Sequence, residues 1–166
     1  MSESARPSPA WAARTGHVTL APARPAGATE EALDRLLIAE RIYRYGWAYD
    51  ERNRDQLADC FTDDAVWEGS MMGLDAIGPM KGREAVMEFL TEFWAQQSDQ
   101  RRHIFTNVIV EELSAAAAVA HAYLLLTASA NDTMTPVTAG PYRLELVKQA
   151  GVWRLARLAG GFDAPF

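Results

Sequence analysis

Asp50 follows Tyr49 at the end of a helix-like apolar pattern, in the stretch AYDERN. It lies three residues after Trp47 and seven after Tyr43, so a 3.6-residue period puts it on their aromatic side. Arg41, Arg44 and Arg52 fall on the other, charged side. A carboxylate so placed is either a helix-end residue capping the next turn or a group aimed into a cavity, in need of a partner. The chain has three histidines, and histidine exchanges a proton near neutral pH, which suits general acid–base work. His103 opens the strand-like run RRHIFTN; taken alone, a histidine there is ordinarily structural. His121 has ambiguous strand parity and reads as a surface or interface residue. His17 lies in an irregular N-terminal stretch. Tyr49, Asn107 and Tyr123 carry donors that suit an enolate-like oxygen or a leaving group.

The elements that must position these groups follow from apolar periodicity. Residues 1–28 are rich in Pro, Ala, Ser and Arg without a period, and read as a mobile tail or an arm packed on a neighbour. A helix starts near Thr29, with Glu30 and Glu31 in its first turn; Leu33, Leu36, Leu37, Ile42, Tyr43 and Trp47 give it a wide apolar face. A short helix is expected over 54–61 and a strand over DDAVWEG, with Val66 and Trp67 on opposite faces. SMMGLDAIGPM reads as a loop, either covering the core or forming a thioether-rich lid that includes Met72. A third helix runs from about 82 to 97 on Val86, Phe89, Leu90, Phe93 and Trp94. Four strand-like runs close the chain, the last two joined at Ala150-Gly151. The order predicts an α+β domain, helices packed on one face of a curved, mainly antiparallel sheet.

Alternation from His103 puts Phe105, Asn107, Ile109 and Glu111 on one face and Ile104, Thr106, Val108 and Val110 on the other. Both faces are largely apolar, which predicts a homo-oligomer, a dimer or trimer, covering the face that the helices leave. The totals set limits. With 166 residues, 49% hydrophobic and 23% charged, one domain with a true core is expected. The net charge of -6 with scattered basic residues argues against a nucleic-acid surface. The single cysteine, Cys60, excludes an intrachain disulfide and a multi-cysteine metal site; it reads as a buried thiol rather than a reactive one. No run reaches the roughly 18 apolar residues of a membrane span. The N-terminus lacks a basic start followed by an apolar stretch, so the expectation is a cytoplasmic protein. Asp63 and Asp64 read as turn residues, Arg143 as a solvated or interface charge, and no metal or cofactor is called for.

The layout resembles the nuclear transport factor 2-like cone fold, in its SnoaL-like branch. The resemblance spans about residues 29–163, leaving 164–166 as a C-terminal end. It is carried by AYDERNRDQLADCFTDDAVWEG, KGREAVMEFL, RRHIFTNV and PYRLELVKQAGVWRLARL. It implies a cone-shaped sheet wrapped around about three helices and enclosing an apolar pocket. Within the branch the sequence is similar to scytalone dehydratase and hexachlorocyclohexane dehydrochlorinase, lyases with a cavity Asp at the end of the first helix paired to a His near the start of the second strand. The matching positions are Asp50 and His103, and Tyr49 matches the residue before the Asp. A second cavity His of the dehydratase has no counterpart, and a residue near Trp67 replaces its first-strand tyrosine.

The resemblance implies a cofactor-independent enzyme for dehydration or elimination, isomerisation or cyclisation of a small hydrophobic, aromatic or polyketide-like metabolite. His103, Asp50 and Tyr49 would be catalytic, and Tyr43, Trp47, Trp67, Asn107, Tyr123, Met72 and Phe89 would contact substrate. The alternative is a noncatalytic ligand-binding protein or a small subunit of a ring-hydroxylating oxygenase.

Overall fold

The structure, a computed structural model, describes Leu20, Pro22 and residues 29–166. The reading of 1–28 as a tail or arm, and His17 with it, lies outside those residues apart from Leu20 and Pro22. Among the described residues three helices and six strands follow one another: α1 (Thr29–Asp50), α2 (Arg54–Asp59), β1 (Phe61–Met71), β2 (Asp75–Lys81), α3 (Arg83–Gln96), β3 (Gln100–Leu113), β4 (Ala117–Ala130), β5 (Thr133–Gln149) and β6 (Val152–Phe162). They form one curved, open sheet in the order β2-β1-β6-β5-β4-β3. Only the β1–β6 pair is parallel. The α+β fold expected from the order of elements is the one observed.

α1 carries two apolar stripes, and the sheet covers only one. Ile38, Ile42, Tyr45 and Tyr49, spaced 4, 3 and 4, are buried. Leu33, Leu36, Tyr43 and Trp47 face solvent, Trp47 with 70% of its surface exposed. The expectation that Asp50 shares a buried face with Tyr43 and Trp47 is therefore corrected. Asp50 sits at the border of the stripes, one turn after Gly46 and next to Tyr49. Arg41, expected on the charged side, is buried and donates from Nη1 to the Asp59 carboxylate at 3.1 Å.

Two further expectations change. SMMGLDAIGPM is not a loop: Met72 and Gly73 adopt left-handed φ values of 51° and 70°, which close a tight turn from β1 into β2. β2 then runs antiparallel to β1, with Met80 opposite Trp67. On β3 the strict alternation breaks at Asn107, whose φ is 52°, at a register shift between Thr106 and Ile109. Such a bulge adds one residue and reverses side-chain parity. Phe105 before it and Val110 after it both face the core, while Ile109 turns outward.

Candidate active site

The first helix meets the third strand where Gly46 has no side chain. A Cβ there would lie 3.1 Å from His103 Cβ and 3.2 Å from His103 O. The close approach brings the next turn of the helix, and Asp50 with it, against His103. Asp50 Oδ1 lies 2.6 Å from His103 Nδ1, and Asp50 Oδ2 accepts the His103 backbone N–H at 2.7 Å. The two side chains are 7% and 9% exposed. One carboxylate thus fixes both the strand backbone and the ring. An ionised carboxylate only accepts, so Nδ1 carries the hydrogen, and in the neutral form of the ring Nε2 keeps its lone pair. The Tyr49 ring stands edge-on to the imidazole at 4.7 Å between centroids.

His103 lines a cavity walled by Tyr45, Tyr49, Trp67, Phe89, Tyr142 and Phe162, with Gln97 and Arg101 as its other polar residues. Its open space is about 40 Å³, room for the centres of a few waters. A ring-sized ligand therefore needs a wall to move. Phe166 stands in that wall, 4.6 Å from Phe162 and 6.1 Å from Phe93 between ring centroids. The segment before it is tied to β5, where Thr138 Oγ1 donates to Ala164 O at 2.8 Å.

The phenols are donors. Burial pushes Tyr45 and Tyr142 well above the ordinary range for tyrosine. Burial also raises Tyr49, against the opposing effects of a Gln97 hydrogen bond and the Arg101 charge. At neutral pH these hydroxyls keep their protons, so the tyrosines can serve as hydrogen-bond donors but not as bases.

Of the expected substrate contacts, Trp67 and Phe89 line the cavity with Tyr49; five others do not. Tyr43 and Trp47 line an outer groove between α1 and α2, because the sheet covers the opposite stripe. Asn107 is spent on the bulge and exposed. Tyr123 lies on the outer face of β4, 55% exposed, because the inward positions there are Ala122 and Leu124. Met72 sits in the β1–β2 turn, outside the cavity wall. Arg101 and Gln97 were missed by sequence reasoning. Arg101 was findable: it lies two residues before His103 on the same strand and shares its face.

Other groups have structural roles. His121 Nε2 pairs with Glu111 Oε2 at 2.8 Å on the outer side of the sheet. Burial pushes the Cys60 thiol up, and its sulfur sits between Arg41 Nη1 and Gln56 O, an environment for a structural rather than a nucleophilic cysteine. Among the described residues, no group of three or more His, Cys, Asp or Glu could hold a metal, and no helix is long and apolar enough to cross a membrane.

The SnoaL-like domain model matches residues 30–159. The chain belongs to the SnoaL-like family. A SnoaL-like domain points to a cofactor-independent enzyme or a ligand-binding role. Among solved structures, this SnoaL-like chain is similar to a Catenulispora acidiphila protein in complex with S-DNPA, at 31% identity and a TM-score of 0.65, over 77% of this chain and 93% of that one. An NTF2-like protein with a cystatin-like fold from Novosphingobium aromaticivorans shares the fold at 20% identity and a TM-score of 0.67, over 80% and 84% of the two chains. So does a candidate aromatic-ring-hydroxylating dioxygenase beta subunit from the same organism, at 17% identity and a TM-score of 0.68, over 81% and 92%. No curated protein matches the sequence significantly.

Proposed function

We propose that this SnoaL-like protein is a cofactor-independent enzyme that moves a proton on a small, flat, apolar substrate. The observation that carries the reading is the buried Asp50–His103 contact of 2.6 Å beside a cavity walled by aromatic rings. Nε2 of His103 removes a proton from carbon next to a carbonyl. The Asp50 carboxylate stabilises the imidazolium that forms. Tyr49, protonated and at the cavity wall, donates to the enolate oxygen. Return of the proton at another carbon gives isomerisation, loss of a β-substituent gives dehydration or elimination, and attack of the enolate on a second carbonyl gives cyclisation.

A second reading, a noncatalytic small subunit of an oxygenase, is favoured by the fold shared with the dioxygenase beta subunit. It gives a buried acid–base pair no task. Deuterium exchange separates the two without knowledge of the natural substrate. Enolisable aryl ketones and 1,3-dicarbonyls are incubated in D2O and followed by proton NMR. Enzyme-dependent exchange that falls by about 10²–10⁴-fold in His103→Ala supports the enzyme. Exchange equal to buffer, or undiminished in the variant, contradicts it.

A further inference from the structure

Among the described residues, Arg101 is the one cationic side chain of fixed charge that lines the cavity, and its hydrogen bonding is incomplete. Its Nε donates to Asp99 Oδ1 at 2.6 Å, which fixes the guanidinium plane. Its side chain is 15% exposed, and Nη1 is shut from solvent with no acceptor among the described residues. Guanidinium N–H groups buried without an acceptor are costly and uncommon in folded proteins. The ion pair with Asp99 accounts for Nε and leaves Nη1 unexplained.

The surroundings say what would complete it. Arg101 lines the cavity beside Tyr49, Gln97 and His103. Among the described residues, none that lines that cavity is acidic. Asp50, the nearest carboxylate behind His103, already gives one oxygen to the ring and the other to the backbone. The cavity therefore offers a guanidinium, a phenol and an amide as donors, an imidazole as base, and aromatic walls. The missing partner is an anionic oxygen carried in by the ligand.

We propose that Arg101 binds a carboxylate of the substrate, so that the cavity takes a flat, apolar carboxylic acid. This rests on the proposed proton-transfer function of the same site and names its substrate class. Arg101 and His103 are two residues apart on one face of β3, roughly 6.6 Å along a strand. The carboxylate is thus held on Arg101 while a carbon a few bonds away meets His103 Nε2. The planar fork of arginine suits this better than a lysine ammonium would.

The test is calorimetric binding of benzoate, cinnamate and 2-naphthoate, each against its neutral amide, to the full chain. Wild type should bind at least one acid about tenfold or more tightly than its amide. Arg101→Gln should lose that preference, weakening acid binding far more than amide binding, and Arg101→Lys should keep part of it, which guards against a folding defect. Wild type that binds acid and amide equally, or neither, overturns the proposal. So does Arg101→Gln with the preference intact. Exchange of neutral ketones that depends on Arg101, with no preference for acids, also overturns it, since the guanidinium would then serve an oxyanion formed in the reaction. The two readings fail separately: a carboxylate preference without deuterium exchange keeps Arg101 as a ligand-binding residue and removes the enzyme.

Discussion

Gly46 and His103 meet across the α1–β3 interface, where a side chain on the glycine would press against the strand. A Cβ on Gly46 would meet His103 Cβ at 3.1 Å, and His103 O and Phe105 Cε2 at 3.2 Å. One of these is sheet backbone and cannot yield cheaply. Gly46→Ala gains about 1 kcal/mol of helix propensity, yet overpacking of this kind costs about 1–3 kcal/mol. The net effect expected is a loss of about 1 kcal/mol, read by thermal melting, with Asp50 pushed away from His103 and proton-exchange activity reduced more than stability.

If the proposed proton transfer holds, Asp50 and His103 serve it as one unit. Asp50→Asn and His103→Ala should each reduce enzyme-dependent deuterium exchange by about 10²–10⁴-fold. The double variant should be no worse than the weaker single one, because removing either member removes the function of both. Additive losses, measured as exchange rates on one probe, contradict a shared role.

Asp34 ties the start of α1 to the far end of the sheet. Its Oδ1 accepts Lys148 Nζ at 2.6 Å and Trp153 Nε1 at 2.9 Å. The Lys148 hydrogen bond first, then that of Trp153, hold its carboxyl below the ordinary value of 3.8, against the opposing effect of burial. A lowered folded value means the carboxylate stabilises the fold above pH 3.8, and that contribution disappears as pH falls through the lower folded value. Asp34→Asn should therefore cost about 1–2 kcal/mol at pH 7. Denaturant titrations of the two proteins should converge below pH 3.8; a constant gap at all pH values contradicts the assignment.

The outer face of the sheet presents Ile104 beside Leu125, with Ile109 and Tyr123 flanking them, all exposed. We propose that a second copy of this chain covers it, with the His121–Glu111 and Arg143–Glu145 pairs at the rim. Light scattering should give a dimer for the wild type and a monomer for Leu125→Asp. A monomeric wild type contradicts this.

Most of the fold is legible in the sequence because its elements are long and periodic. The helix over 82–97 and the Ala150-Gly151 hairpin connection come directly from local pattern. Tyr43 and Trp47 were misplaced because α1 has two apolar stripes, and periodicity alone does not say which one the sheet covers. Asn107 and Met72 were misplaced because left-handed residues reset parity and chain direction, which an alternation argument assumes constant. Asp50 and His103 were brought together by family resemblance; 53 residues separate them, and nothing local encodes the contact. Gly46, which permits that contact, carries nothing in the local pattern that marks it.

The central claim is that Asp50 holds His103 with its hydrogen on Nδ1, leaving Nε2 to act as the base. Long-range proton–nitrogen correlation NMR of the three histidines, with the rings neutral, reads this directly. Wild type should show a single Nδ1–H tautomer for His103, lost in Asp50→Ala. An Nε2–H tautomer, or a ring that averages between the two forms alike in both proteins, would contradict it.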